Sequence, residues 1–140
     1  MNEPTQYIDF SEQPPITIGN VVQTEVLDGS NVLEFGQQAL AYVSEHSTKQ
    51  LLIGFENVRY MSSAALTELL RINQAIRENE GTVRLCGMNA DIQNIFKITN
   101  LEKLFVIHEN EDIPAAASRF KRSLELAQKE SAWSKSEADG

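Results

Sequence analysis

Residues 50–55 read QLLIGF, and after Gln50 nothing in the run is polar. The run is short, and it does not alternate, so neither face is reserved for water. It predicts a strand buried on both sides, as in a parallel sheet covered by helices. Parallel neighbours cannot be joined by a tight hairpin; each pair needs a crossover, commonly helical. That single stretch therefore demands helices before and after it.

Both are legible. Gly36, Ala39, Leu40 and Val43 recur at helical spacing, with Leu33 and Phe35 nearby, so residues 32–46 read as a first helix. Ser30 or Asn31 can cap it, after a loop-forming LDGSN. Residues 64–80 read as a second helix, with Leu66, Leu69, Leu70 and Ile76 on one face and Arg71, Arg77, Glu78 and Glu80 away from it. Gly81 suits a left-handed C-terminal cap there. Residues 82–86 give the next strand. Residues 89–98 give a short helix with Ile92, Ile95 and Phe96 inward, and residues 104–107 a last strand. Asp112 can cap a fourth helix, with Pro114 in its first turn and Ala117, Phe120 and Leu124 inward.

Upstream, Tyr7, Ile8 and Phe10 suggest a short strand stopped by Pro14-Pro15. Residues 16–26 suggest one strand or a hairpin turning near Gly19-Asn20. The order after these strands is α-β-α-β-α-β-α. It predicts an α/β domain with a mostly parallel, mixed sheet. Beyond about residue 126 the chain is polar and Ser-rich, a frayed helix end or tail, with a lone Trp133 in it.

With 140 residues, 41% hydrophobic and 23% charged, the chain is sized for one globular domain. Its 20 acidic against 12 basic residues, a net charge of −8, disfavour a nucleic-acid binder and leave protein partners open. The N-terminus lacks a basic start followed by an apolar run, and no apolar stretch approaches the roughly 20 residues of a spanning helix. Cys86, the sole cysteine, permits no intrachain disulfide. These features point to a soluble cytoplasmic protein without direct membrane insertion.

Chemistry is sparse. No Gly-x-Gly and no G-x-S-x-G occurs, which removes the dinucleotide fingerprint, the P-loop and the nucleophile elbow. His46 and His108 read as surface or helix-end residues, and neither has metal-ligand spacing with another His or Cys. Cys86 reads as a small core residue. Glu109, Glu111 and Asp112 flank a helix start, where negative charge is favourable by itself. No catalytic set, metal or cofactor is expected, and the chain reads as a non-enzyme.

What remains is Ser62-Ser63, at the exit of the central strand and the top of the second helix. Serine is a preferred N-cap, and spacing alone favours that plain role. A phosphate there would be tolerated at a helix N-terminus. It would also add nearly two negative charges to any surface docked over it. The small Ala64 and Ala65 that follow would let another protein approach.

Residues 51–70, LLIGFENVRYMSSAALTELL, resemble the signature of the STAS domain, the family of bacterial anti-sigma factor antagonists. That signature is an apolar strand, an apolar pair, then Asp-Ser-Ser/Thr-Gly-Leu opening a helix. Tyr60-Met61 match the pair and Leu66 the Leu. Ser62 stands at the Asp position and Ser63 at the serine that a partner kinase phosphorylates. Ala64 and Ala65 stand at the next Ser/Thr and the Gly. NEGTVRL at 79–85 and IFKITNLEKLF at 95–105 are similar to the family's Gly turn and its end-of-helix segment.

The resemblance covers residues 7–122, leaving 123–140 as a polar tail or helix extension. It implies a sheet of four to five strands with about four helices, mainly on one face. It also implies an antagonist that binds an anti-sigma factor, often a serine protein kinase of the histidine-kinase-like ATPase fold, and so frees a sigma factor. Phosphorylation of Ser63 (Ser62 being a second candidate) would break the complex, and a phosphatase would reset it. Asp28, in the loop before the first helix, would join Ser62, Ser63, Ala64 and Ala65 in partner binding. The alternative is a constitutive STAS interaction module of a transport or signalling-scaffold complex, with the serines only a cap. A monomer or weak dimer is expected.

Overall fold

The computed structural model describes residues 5–22 and 30–139, with side chains described for 5–22 and 31–131. The elements run β1 (Ile8–Gln13), β2 (Ile16–Val21), α1 (Ser30–His46), β3 (Gln50–Gly54), α2 (Ser63–Glu78) and β4 (Thr82–Cys86). They continue with α3 (Ala90–Ile98), a 3₁₀ turn (Leu101–Lys103), β5 (Val106–His108) and α4 (Ile113–Asp139). The five strands form one mixed sheet in sequence order, β1 antiparallel to β2 and β2 through β5 parallel.

Sequential order explains where the helices lie. Each crossover moves one strand in the same direction, and right-handed crossovers then place their helices on one face. Accordingly α1, α2 and α3 share one core: Phe35, Ala39 and Val43 with Leu66, Leu69, Ile72 and Ile76, and with Ile92 and Phe96. α4 follows the last strand, has no crossover to make, and covers the other face through Ala116, Ala117 and Phe120.

β3 is the centre predicted from its sequence. Leu51 and Ile53 join the three-helix core and Leu52 the α4 core, all three fully buried. The hairpin, however, turns at Pro14-Pro15, between β1 and β2, not at Gly19-Asn20. Gly19 lies inside β2, paired with Phe10 on one side and Ile53 on the other. A Cβ there would come within 2.9 Å of Ile8 Cδ1 and 3.1 Å of the Phe10 ring. The glycine marks β1 side chains folded over the strand rather than a turn.

Two other details depart from expectation. β5 starts at Val106, because the 3₁₀ turn and Leu104, its C-cap, occupy the residues just before Phe105. The left-handed residue closing α2 is Glu80, at φ 62°, not Gly81. α4 carries residues 123–139 onward as one helix.

His108 is a correction. It is not a surface residue but 8% exposed, packed on the α4 side of the sheet. Arg84 Nη1 donates to its Nε2 at 3.4 Å, and its Nδ1 lies 3.6 Å from Glu111 Oε1. A guanidinium only donates, so Nε2 accepts and the ring is neutral, with its proton on Nδ1. Burial first, and then Arg84, hold its pKa below the ordinary value of 6.5; Glu111 opposes them. A depressed folded pKa means the unfolded chain takes up the proton first as pH falls, so the stabilisation is present above the unfolded pKa and lost below it. Urea midpoints should therefore drop as pH is lowered through about 6.5, and the drop should be shallower in His108→Gln.

Candidate functional site

The C-terminal ends of the parallel strands share one edge, and α2, α3 and α4 each follow a strand there. This is where open α/β sheets present function. The loop from β3 to α2 crosses this edge, pinned from three sides. Phe55, Val58 and Met61 are buried anchors. Asn57 Nδ2 donates to Val21 O at 3.4 Å. Asn89 Nδ2 donates to Val58 O at 3.4 Å and Arg59 O at 3.1 Å. Asn89 is also the N-cap of α3, its Oδ1 accepting from Ile92 N–H at 2.9 Å. One asparagine thus starts a helix and fixes the loop ahead of another.

That loop delivers Ser62 in extended backbone, φ −81° and ψ 166°, as the N-cap of α2. Its Oγ accepts from Ala65 N–H at 3.3 Å, and its side chain is half-buried. Ser63 is the first residue of the helix. It is exposed, and its hydroxyl has no hydrogen-bond partner among the described residues. The pair thus divides: one hydroxyl is engaged by the helix and the other faces water.

Ala64 is exposed beside Ser63, as expected. Ala65 is not uncovered: it is fully buried in the core and offers no surface to a partner. Helix geometry explains this: Ala65 lies four residues ahead of Leu69 and seven ahead of Ile72, on the buried stripe of α2. Asp28 lies outside the described residues.

The surroundings add residues that sequence did not single out. α1 and α2 lie close enough that a Cβ on Gly36 would fall 2.2 Å from Glu68 Oε2. Glu68 is 6% exposed, and its carboxylate pairs with Arg71 at 3.5 Å. Leu33 stands three residues ahead of Gly36, as Ala64 stands four ahead of Glu68. Leu33, in the first turn of α1, and Tyr60, in the loop ahead of α2, are exposed large apolar side chains. Leu33 is 52% exposed; only that exposure, a tertiary property, identifies it. Asn89 carried the ordinary signal of an N-cap residue, but its reach to Val58 and Arg59 depends on the fold.

Burial first, and then nearby carboxylates, push the Cys86 thiol up to about 12, so it is no thiolate. Among the described residues no group of His, Cys, Asp or Glu is placed to hold a metal ion. No described helix is long and apolar enough to cross a membrane. The division between the serines is measurable. Ser62→Ala should lose about 1 kcal/mol through the cap. Ser63→Ala should stay within about 0.5 kcal/mol of wild type. Urea unfolding of the two variants checks both.

Comparison with known proteins bears on the family and the fold. The model of the STAS domain family matches residues 7–113. The anti-sigma-B factor antagonist of Staphylococcus aureus is 25% identical over 77 residues, 55% of this chain and 71% of that protein. An anti-sigma-factor antagonist (STAS) domain protein from Planctomyces limnophilus superposes with a TM-score of 0.69 at 17% identity, over 81% of this chain and 97% of that one. The unphosphorylated anti-sigma factor antagonist SpoIIAA gives 0.63 at 11% identity, over 81% and 97%. Its phosphorylated form, from Bacillus, gives 0.60 at 12%, over 80% and 97%. The family match covers more than half of the chain, and the five-stranded mixed sheet with its helices is the fold of these solved relatives: the chain belongs to the STAS domain family.

Proposed function

We propose that this protein is an anti-sigma factor antagonist, a binding protein rather than a catalyst, switched by phosphorylation of Ser63. The observation that carries this reading is the unequal pair. Ser62 holds the helix end, and the adjacent Ser63 presents a free, exposed hydroxyl at the α2 N-terminus. A kinase can reach Ser63 without undoing the cap. The resulting phosphate meets free N–H groups and a favourable dipole, so the fold tolerates it. Relatives named as antagonists, one of them known in phosphorylated and unphosphorylated forms, support the same reading.

The partner would be an anti-sigma factor, a serine protein kinase of the histidine-kinase-like ATPase fold, with a phosphatase to reset the switch. It would dock on Ser62, Ser63 and Ala64, with Asp28 contributing from the loop ahead of α1. Such a cycle runs in the cytoplasm, where sigma factors act. The test is direct. Incubated with the candidate kinase and ATP, the protein should gain one phosphate, mapped by mass spectrometry to Ser63. The unmodified form should release the sigma factor from its complex with the kinase. No phosphate on either serine, with partner binding intact, would leave the constitutive interaction module as the function.

A further inference from the structure

α4 lays Ala116, Ala117 and Phe120 over Ile16, Ile18, Leu52 and Cys86, that is, over β2, β3 and the end of β4. It does not close over β5. Between β5 and the outer flank of α4 lies an open cleft of about 800 Å³, within the range of small-molecule sites.

Arg84 lines it from the middle of β4. Its guanidinium stacks 4.4 Å over the Phe120 ring. Nη2 donates to Ser123 Oγ at 3.1 Å and Nη1 to His108 Nε2 at 3.4 Å. Its buried Nε has no hydrogen-bond partner, and no carboxylate pairs with the guanidinium among the described residues. Glu111, the nearby acid, is engaged by Arg119 at 2.9 Å and turned toward His108. Arg122, also on the cleft, has no ion pair among the described residues either. A part-buried guanidinium without a counter-charge is costly, and this chain carries eight negative charges in excess.

We propose that the cleft binds a small organic phosphate monoester. Its oxygens take the place of the missing carboxylate, between Arg84, Arg122 and the Ser123 hydroxyl, and its short apolar body lies against Leu126 and Ile107. Arginine suits this role because its fork of N–H donors matches phosphate oxygens. Glu109 and Glu130 stand at the rim, both exposed, where water and salt screen their repulsion. The cleft is on the sheet face opposite α2, so the proposal is independent of the Ser63 switch.

The chain has two histidines, which makes the test simple. One of them, His108, lines the cleft; the other, His46, ends α1 and stacks on Tyr42. Imidazole proton resonances are followed by NMR while n-butyl phosphate is added, with butanol as the neutral control and inorganic phosphate as the head group alone. The His108 resonance should shift saturably below about 10 mM n-butyl phosphate, His46 should stay in place, and butanol should do nothing. Inorganic phosphate should shift His108 more weakly. Arg122→Gln, an exposed change, should weaken the response by about tenfold. The proposal is overturned if His108 does not move, if both histidines move together, if butanol matches the phosphate, or if Arg122→Gln responds like wild type.

Discussion

Ser63→Asp should weaken binding to the anti-sigma factor by about a hundredfold, close to 2.7 kcal/mol, while the variant stays folded. The two halves of this expectation have separate causes. For the fold, the first turn of α2 holds no acidic residue. A carboxylate at its first position meets the positive end of the helix and is worth about 0.3–1 kcal/mol. The urea midpoint should therefore hold or rise slightly. For the interface, Ser63 and Ala64 are both exposed at the start of α2. A partner seated there would bury the new charge without a counter-ion, a situation that costs about 2–5 kcal/mol. Ser63→Ala, which adds no charge and no bulk, should bind nearly as wild type but accept no phosphate at that position. Titration calorimetry of the two variants against the anti-sigma factor separates the effects. Equal affinity for Ser63→Asp and wild type would remove the switch and leave a constitutive module.

The sequence carried the layer arrangement because periodicity and the crossover rule depend on local pattern. QLLIGF could only be a strand covered on both faces, and the helices around it had to follow. It carried Ser62-Ser63 because a cap is a local motif. It lost what depends on tertiary approach. Asn89 reaches carbonyls thirty residues away. His108 is buried beside Arg84 and Glu111, and the pairing of Arg84 with His108 needs β4 and β5 side by side. Gly19 reads as a turn until Ile8 and Phe10 are seen folded across it. Ala65 is small but not open: its place four residues ahead of Leu69 turns it inward.

Gly81 is the sharpest such case, and its replacement should produce the largest loss of stability. Gly81→Ala is expected to lose about 3 kcal/mol, combining overpacking against backbone with a lost hydrogen bond. The reason is contact, not torsion. A Cβ on Gly81 would fall 1.8 Å from Lys49 O and 2.5 Å from Lys49 C. These are main-chain atoms just ahead of β3, and Lys49 O accepts from Thr82 N–H at 2.8 Å, beside the first rung where Gln50 pairs with Thr82. Relief requires the starts of β3 and β4 to separate. The left-handed position is Glu80 instead. Its N–H bonds to Arg77 O and the Gly81 N–H to Ile76 O, each at 2.9 Å, which closes α2 in a Schellman turn. A non-glycine residue in that conformation costs about 1 kcal/mol or more. Glu80→Gly should therefore raise the urea midpoint, by up to about 1 kcal/mol in stability. If Gly81 carried the left-handed turn, Glu80→Gly would instead weaken the helix end and lower the midpoint. The opposite signs of the two variants, measured in one urea series, decide between close approach at Gly81 and a conformational role for it.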